Sequence, residues 1–288
     1  MPQRRQQDWR SPDPKCLFVV ACTGDLPSIL DVVNLKSGGS VSRVGPTKEK
    51  AIEAPMEPGD GFGVITPERG LTSVAVAGKP PPLPIMNQPA EWEEAGLNEE
   101  LAQRFKNAHH SVLINVNDPG TAVVETVRFA TGLADRISSI ATGCVDDMSA
   151  QRFFAGETWK AEQYTEGFDP RSHISLHVRP AAPKGLWLHT HGLIKFGRAE
   201  LEMRAVPPEL LNDAINTVLN FASYVVEERE IRPGHTVGNP DAPLIARVSH
   251  PDPEHWEGAA ALELVDVDRS KKPVPIGVER GLRAMIWA

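Results

Sequence analysis

Residues His173–Arg179 alternate strictly between apolar and polar side chains. Side chains on a β-strand point to opposite faces in turn, so this pattern predicts a strand with one apolar and one polar face. Turn-forming residues fill Pro180–Gly185, and Leu186–His191 has the composition of a second strand. The sequence therefore predicts an antiparallel β-hairpin, and one register of this hairpin places His177 opposite His189.

The order of the predicted strands and helices indicates an α+β fold. Runs of the type strand–helix–strand–strand–helix–strand are typical of ferredoxin-like βαββαβ units, in which helices cover one face of a mainly antiparallel sheet. Two such units in tandem fit a chain of 288 residues. A single doubly wound sheet is the alternative, but the adjacent strand pairs around Gly70 and Pro180–Gly185 favour antiparallel pairing.

The predicted domain organisation has three parts. Residues 1–15 are polar and form a frayed tail, residues 16–108 form the first α+β unit, and residues 109–288 form the second. The segment Lys79–Pro89 holds three consecutive prolines. Proline cannot join the interior of a sheet, so this segment is predicted to be a stiff connector inside the first unit.

The strongest predicted helix follows Pro207 and Pro208, because apolar residues then recur at helical spacing for about four turns. We expect five of its residues to lie in the core: Leu211, Ile215, Val218, Leu219 and Val226. Other predicted elements are helices over Asn98–Ala108 and Gly120–Asp135, a short helix over Ser149–Phe154, and a strand over Ile137–Thr142.

The charge and cysteine content of the chain restrict its partners and its compartment. A net charge of −8 and a pI near 5.6 argue against nucleic acid and anionic membranes, because both require a basic face. Three cysteines without a C-x-x-C pair indicate free thiols in a reducing compartment. The apolar run Cys16–Cys22 is too short to span a membrane. We expect a soluble cytoplasmic protein.

The segment Leu188–Glu200 contains the pattern T-x-G-L-x-x-F-G-x-x-E, which leads into a predicted strand and a proline-started helix. This pattern resembles the core of an uncharacterised bacterial domain family. The order of elements between about Ser111 and Val226 is similar as well. The resemblance implies a non-enzymatic partner-binding or immunity-like module and supplies no catalytic residue. The residues that carry the pattern are Thr190, Gly192, Leu193, Phe196, Gly197 and Glu200.

The glycines of this pattern have a structural explanation. Gly192 and Gly197 bracket a tight turn, and we expect backbone angles there that other residues disfavour. We expect Glu200 to cap the backbone amides of the turn, or to pair with Lys195 or Arg198. The pattern is therefore interpreted as architecture.

Four histidines lie on the predicted hairpin. His173 and His177 share a face of the first strand, and His189 and His191 share a face of the second. Three or four imidazoles on one face are an arrangement that zinc or another transition metal can use. The alternative is a solvated polar face whose rings point to water without converging. We favour the solvated face, because no H-E-x-x-H spacing is present.

Two other motifs give no catalytic or cofactor-binding residue. Cys144 follows a predicted strand, but nothing in the sequence brings a histidine to its thiol, so we expect a buried structural cysteine. Asp146 and Asp147 are expected to cap the short helix predicted from Ser149, and not to act as paired catalytic carboxylates. The glycine-rich segment Gly59–Gly63 precedes a strand, so it lacks the helix N-terminus that a phosphate loop requires.

The functional prediction is a non-enzymatic binding or regulatory module that acts on a partner protein through the hairpin and residues 143–171. One alternative is a metal-dependent enzyme that uses the four histidines, and stoichiometric zinc would favour it. The other alternative is a subunit of a homo-oligomer, with the apolar segment Leu282–Ala288 packed on a partner.

Overall fold

The computed structural model describes residues 13–33, 40–43, 52–66, 70–80, 95–118, 120–155, 169–181, 184–227, 231–237, 244–248, 260–267, 273–274 and 276. The chain divides into an N-terminal unit, Pro14–Ser172, and a C-terminal unit, His173–Ala288. Several predictions lie outside the described residues: most of the tail, most of the proline-rich connector, residues 156–168 of the proposed binding surface, and the C-terminal apolar segment.

The described strands of the N-terminal unit form one antiparallel sheet in the order β2-β3-β4-β5-β1-β6-β7. The predicted domain boundary between residues 108 and 109 differs from the observed division. Strand β5 begins at residue 110 and pairs with both β4 and β1, so it lies inside this sheet. The strands are β1 Cys16–Cys22, β2 Ser40–Arg43, β3 Gly61–Ile65, β4 Leu71–Ala77, β5 His110–Asp118, β6 Gly143–Asp147 and β7 Arg152–Ala155.

Three helices accompany this sheet in the described residues: α1 Ile29–Val32, α2 Glu99–Asn107 and α3 Val123–Ile140. The Asn98 side chain accepts a hydrogen bond from the amide of Leu101 at 2.8 Å and caps α2, which begins where the sequence predicts a helix. The buried face of α2 packs against β1, β6 and β7, where the Phe105 and Phe153 rings meet edge to face.

The predicted strand over Ile137–Thr142 is wrong. Helix α3 continues to Ile140, because its buried stripe runs on through Leu133, Ala134 and Ile137. Thr142 has a φ of 48° and ends the turn after the helix, and β6 starts at the next residue. The apolar residues that suggested a strand belong instead to the end of a longer helix.

The predicted helix over Ser149–Phe154 is also wrong. Residues 148–151 form a turn, and β7 then pairs antiparallel with β6. The Asp147 carboxylate accepts a hydrogen bond from the amide of Ala150 at 3.1 Å and closes this turn. Gln151 has a φ of 51°, which interrupts any helix at this position.

The C-terminal unit holds a second, mainly antiparallel sheet in the order β11-β12-β13-β10-β9-β8, with β14 paired to β13. Only the β10–β13 pair among the described strands is parallel. The protein is therefore α+β, but each described sheet has seven strands, and the four-stranded ferredoxin-like arrangement is not confirmed. The strands are β8 Ser175–Pro180, β9 Leu186–His191, β10 Glu200–Val206, β11 Thr236–Val237, β12 Leu244–Val248, β13 Ala261–Val267 and β14 Pro273–Val274.

Helix α4, Leu211–Glu227, follows a 3-10 turn at Pro208–Leu210 and packs against β9 and β10. Val218 and Val226 are buried, as predicted. Leu211, Ile215 and Leu219 are only half-buried. The buried stripe is rotated from the predicted one, because it includes Thr217 and Phe221 as well as Ala214, Val218, Ala222, Val225 and Val226.

No helix in the described part of the chain combines the length and the apolar character needed to cross a membrane.

Candidate metal centre

Strands β8 and β9 form the predicted antiparallel hairpin. Their register places His177 opposite His189 and Ser175 opposite His191. Directly opposed residues of an antiparallel pair point to the same face of the sheet. The hairpin and its register, with the histidines of both strands on one face, are therefore confirmed.

The histidine face of the hairpin is buried, so the favoured prediction of a solvated face is wrong. The exposed fraction is 2% for His173, 7% for His177, 0% for His189 and 7% for His191. On the opposite face, Leu188 and Thr190 are buried and Leu176 is half-buried, so the hairpin is covered on both faces. The alternation identifies which side chains share a face, but it does not show whether the polar face is covered as well as the apolar one.

Three of the four histidines converge. One ring nitrogen from each of His177, His189 and His191 lies within 4.8 Å of the others. The ring centroids are 4.8 Å apart for His177 and His191, 5.3 Å for His189 and His191, and 5.5 Å for His177 and His189. We name these three residues the histidine cluster.

His173 does not join the histidine cluster. It ends the 3-10 turn Pro170–His173, two residues before the first residue of β8, so strand alternation no longer governs its side chain. Its ring lies edge to face against Phe196, with the centroids 6.4 Å apart. The four predicted metal candidates are thereby reduced to three.

A group of one aromatic and two charged residues lies beside the histidine cluster, and the sequence reasoning missed it; Glu202 is buried, whereas Trp187 and Arg204 are partly exposed. The Trp187 and His189 rings are 4.1 Å apart and tilted by 32°. The Trp187 indole N–H donates to Oε2 of Glu202 at 2.8 Å, and Glu202 lies opposite His189 in the sheet. The Arg204 guanidinium donates to both Glu202 carboxylate oxygens and lies over the Trp187 ring.

One signal for this group was present in the sequence. Trp187 lies two residues before His189 on β9, so alternation places both side chains on one face. Glu202 and Arg204 have the same spacing on β10. The missing information was the pairing of β9 with β10, which sets Glu202 beside His189.

The donor atoms of the histidine cluster define the metals that it can hold. Imidazole nitrogen suits zinc, copper, nickel and iron, whereas magnesium and calcium require oxygen ligands. In a tetrahedral site with metal–nitrogen bonds of about 2.0–2.1 Å, the ligand nitrogens are about 3.3 Å apart. The ligand nitrogens of the histidine cluster lie within 4.8 Å of one another, so side-chain rotations must bring them closer to reach this geometry.

The turn between β9 and β10 explains the glycine and glutamate pattern of the sequence. Glu200 is buried, and its carboxylate accepts hydrogen bonds from the Thr190 hydroxyl at 2.7 Å and from the Gly192 and Ile194 amides at 2.9 and 3.1 Å. The predicted capping role of Glu200 is confirmed. Burial raises the pKa of Glu200 to about 7, while these hydrogen bonds act in the opposite direction.

Both glycines of the pattern are required by backbone geometry. Gly192 has a φ of 112° and Gly197 a φ of 66°, and they flank the 3-10 turn Leu193–Phe196. Side chains other than hydrogen are disfavoured at such angles. Leu193 and Phe196 are buried between them, so this motif serves the fold.

Within the described residues, the cysteine and aspartates of β6 show no arrangement for nucleophilic catalysis. Cys144 is buried in the apolar core of the N-terminal unit, and burial is the main cause that raises the pKa of its thiol to about 12. Burial, with the Asp147 charge second, raises the pKa of Asp146 to about 7. The Asp147 side chain caps the turn before β7, so the predicted helix-capping role is wrong, because no helix follows. The predicted structural role of Cys144 agrees with its position.

The glycine-rich segment before β3 is a local turn. The Asp60 carboxylate accepts a hydrogen bond from the amide of Glu57 at 2.8 Å, and Gly59 has a φ of 95°. Strand β3 begins at Gly61. The segment therefore does not lead into a helix, in agreement with the sequence.

The fold and the site together define an α+β protein with two mainly antiparallel sheets and a candidate three-histidine metal centre in its C-terminal unit. Residues 176–250, roughly a quarter of the chain, match the C-terminal domain of a protein family of unknown function, DUF4026. The match contains the whole histidine cluster and the turn that Glu200 caps. It assigns no activity. No curated protein and no solved structure matches the chain.

Proposed function

We propose that the C-terminal unit binds a divalent transition-metal ion, with zinc as the first candidate, through His177, His189 and His191. The convergence of three buried imidazoles on one face of a hairpin is the observation that supports this proposal. The residues come from two paired strands, so the backbone ladder fixes their relative positions before any metal binds.

Zinc is favoured over other ions by the donor set and by the surroundings. Neutral imidazole is a common ligand of zinc, and the group contains no thiolate to select copper(I). The Glu202 carboxylate is fully buried and lies opposite His189, which places a negative charge near the site. This charge lowers the electrostatic cost of a buried dication, although Arg204 offsets part of it.

Three protein ligands leave one position of a tetrahedral zinc ion for water or another ligand. Structural zinc sites use four protein ligands, whereas sites that bind an exchangeable ligand use three. Within the residues that the structure describes, the group has three members. The proposed function is therefore metal-dependent ligand binding. A regulatory module that binds a partner protein is the simplest protein of this kind.

A metal-dependent enzyme is the second candidate function, because the same open position favours it. A zinc ion lowers the pKa of bound water to about 7 and so supplies hydroxide near neutral pH. In this form, His177, His189 and His191 hold the ion and supply no proton. Hydrolysis of an activated ester by the zinc-loaded chain, lost after mutation of His189, would select this candidate.

The first test is the metal content of the full chain purified without a histidine tag. We expect close to one zinc ion per chain by inductively coupled plasma mass spectrometry, and a large loss in His189→Ala. His235→Ala is the matched control, because His235 belongs to the same unit but is exposed. The control should retain the metal of the unmodified chain.

Thermal unfolding gives an independent measurement of binding. A ligand that binds only the folded state stabilises it by about 2.7 kcal/mol at one hundred times its dissociation constant. We therefore expect added zinc to raise the melting temperature of the chelator-treated wild type and of His235→Ala, but not of His189→Ala. Equal metal content and equal melting shifts in all three proteins would refute the proposed site.

A further inference from the structure

Trp187 lies against one member of the histidine cluster in a way that restricts its ring. The indole and the His189 imidazole are nearly stacked, with centroids 4.1 Å apart and planes tilted by 32°. An imidazole bonded to a metal must hold one nitrogen toward the ion, which fixes its rotation about the Cβ–Cγ bond. A flat indole at van der Waals distance from the ring limits that rotation.

Two neighbouring side chains, Glu202 and Arg204, fix the position of the indole. Its N–H donates to Oε2 of Glu202 at 2.8 Å, and the Arg204 guanidinium lies 4.6 Å from the ring centroid. Arg204 also donates from Nε to Oε1 of Glu202 at 2.9 Å. The Glu202 side chain is fully buried, so water does not compete at the carboxylate.

The strand register keeps these side chains on the same face as the metal candidates. Trp187 lies opposite Arg179 on β8, and Glu202 lies opposite His189 on β9. Glu202, His189 and His177 therefore lie side by side on three neighbouring strands, and Glu202 connects them to the indole by a hydrogen bond. Hydrogen bonding, ring stacking and register all act on the orientation of one imidazole.

We infer that Trp187 is a positioning residue for the metal centre, held in place by Glu202 and Arg204, and that it orients His189 before metal binding. This inference rests on the proposed metal-binding function. It assigns to Trp187 a role in metal affinity and coordination geometry, and no contact with the metal. Loss of a side chain that orients a metal ligand typically costs 10–100-fold in metal affinity.

The test compares Trp187→Phe with Val178→Ala in the full chain. Phenylalanine keeps an aromatic ring but loses the N–H that Glu202 fixes, whereas Val178→Ala removes packing from the opposite face of the hairpin. We expect zinc affinity, measured by competition with a chromophoric chelator, to fall about 10–100-fold in Trp187→Phe and to stay near wild type in Val178→Ala.

Cobalt(II) provides a readout that a loss of stability alone would not change. Its visible absorption reports coordination geometry, so we expect an altered spectrum for Trp187→Phe at saturating cobalt and an unchanged one for Val178→Ala. Glu202→Gln keeps an acceptor for the indole but weakens the hold of Arg204, and should show a smaller change in the same direction. If Trp187→Phe does not fold, Glu202→Gln carries the test.

The outcomes separate this inference from the proposed function. A wild type that binds zinc, with Trp187→Phe and Glu202→Gln matching it in affinity and cobalt spectrum, would overturn the inference and leave the metal centre intact. A wild type that binds no zinc would remove the metal centre, and the positioning role with it. Weaker binding and an altered spectrum in Trp187→Phe, with Val178→Ala unchanged, would support both.

Discussion

Replacement of Glu200 by alanine should destabilise the C-terminal unit strongly. The carboxylate accepts hydrogen bonds from the Thr190 hydroxyl and from the Gly192 and Ile194 amides in a buried environment. A buried donor left without an acceptor costs about 1–3 kcal/mol. With partial relaxation of the turn, we expect the free energy of unfolding to fall by roughly 3–6 kcal/mol.

Urea titration of the full chain, followed by far-UV circular dichroism, measures this loss. Glu209→Ala is the matched control, because Glu209 is an exposed glutamate of the same unit. Its effect should stay within about 0.5 kcal/mol. A loss below about 1 kcal/mol for Glu200→Ala would show that the carboxylate does not support the turn, and that the glycines alone define it.

The same residue gives a dependence on pH whose sign follows from its pKa. Burial raises the pKa of Glu200 from 4.5 to about 7 in the folded state. Between these values the unfolded chain releases the proton and the folded chain keeps it. The stabilisation that comes from this raised pKa is therefore complete below pH 4.5 and is lost as the pH rises toward 7.

The difference in unfolding free energy between wild type and Glu200→Gln isolates this effect from other titrating groups. At 1.36 kcal/mol for each pKa unit, the advantage of the wild type should decrease by at most about 3 kcal/mol between pH 4.5 and pH 7. A difference that stays constant, or that grows with pH, would show that the hydrogen bonds outweigh burial and keep the carboxylate ionised.

Two further predictions concern packing and backbone geometry. Phe221→Ala should lower the free energy of unfolding by about 3–5 kcal/mol, and Ile215→Ala by clearly less, because Phe221 is buried and Ile215 only half-buried in α4. Gly192→Ala should cost roughly 1–3 kcal/mol because of its φ of 112°, whereas Gly78→Ala, in open space, should be close to neutral. Urea titrations check both pairs, and reversed rankings would contradict them.

The hairpin was predictable because two short-range signals agree. Alternation fixes the face of each side chain, and the turn residues between Pro180 and Gly185 fix which strands are neighbours. Together they give the pairing of His177 with His189 that the structure shows. The capping by Glu200 was predictable for a similar reason, because its hydrogen-bond partners lie within ten positions along the chain.

The burial of the histidine face was not predictable, because it depends on what covers the sheet. A polar face looks the same in sequence whether water or protein lies against it. The same limit applies to α4. The predicted buried stripe covers the correct part of the chain, from Leu211 to Val226, but it omits Phe221, which is buried. The prediction of where α3 ends was wrong for a local reason. The apolar residues near Ile137 fit a helix and a strand equally well.

Two of the groups of buried polar residues in the region that matches the uncharacterised family differ in whether the fold explains them. Thr190 and Glu200 satisfy the turn between β9 and β10, so their polarity has an architectural reason. The register of the hairpin comes from backbone pairing and would persist with apolar side chains at the positions of the histidine cluster. Apolar side chains there would each contribute about 1.5–3 kcal/mol of burial energy. Sites where a protein departs from the choice that favours stability are the sites where function is expected, so the metal-binding proposal concerns the histidines and not the glycine motif.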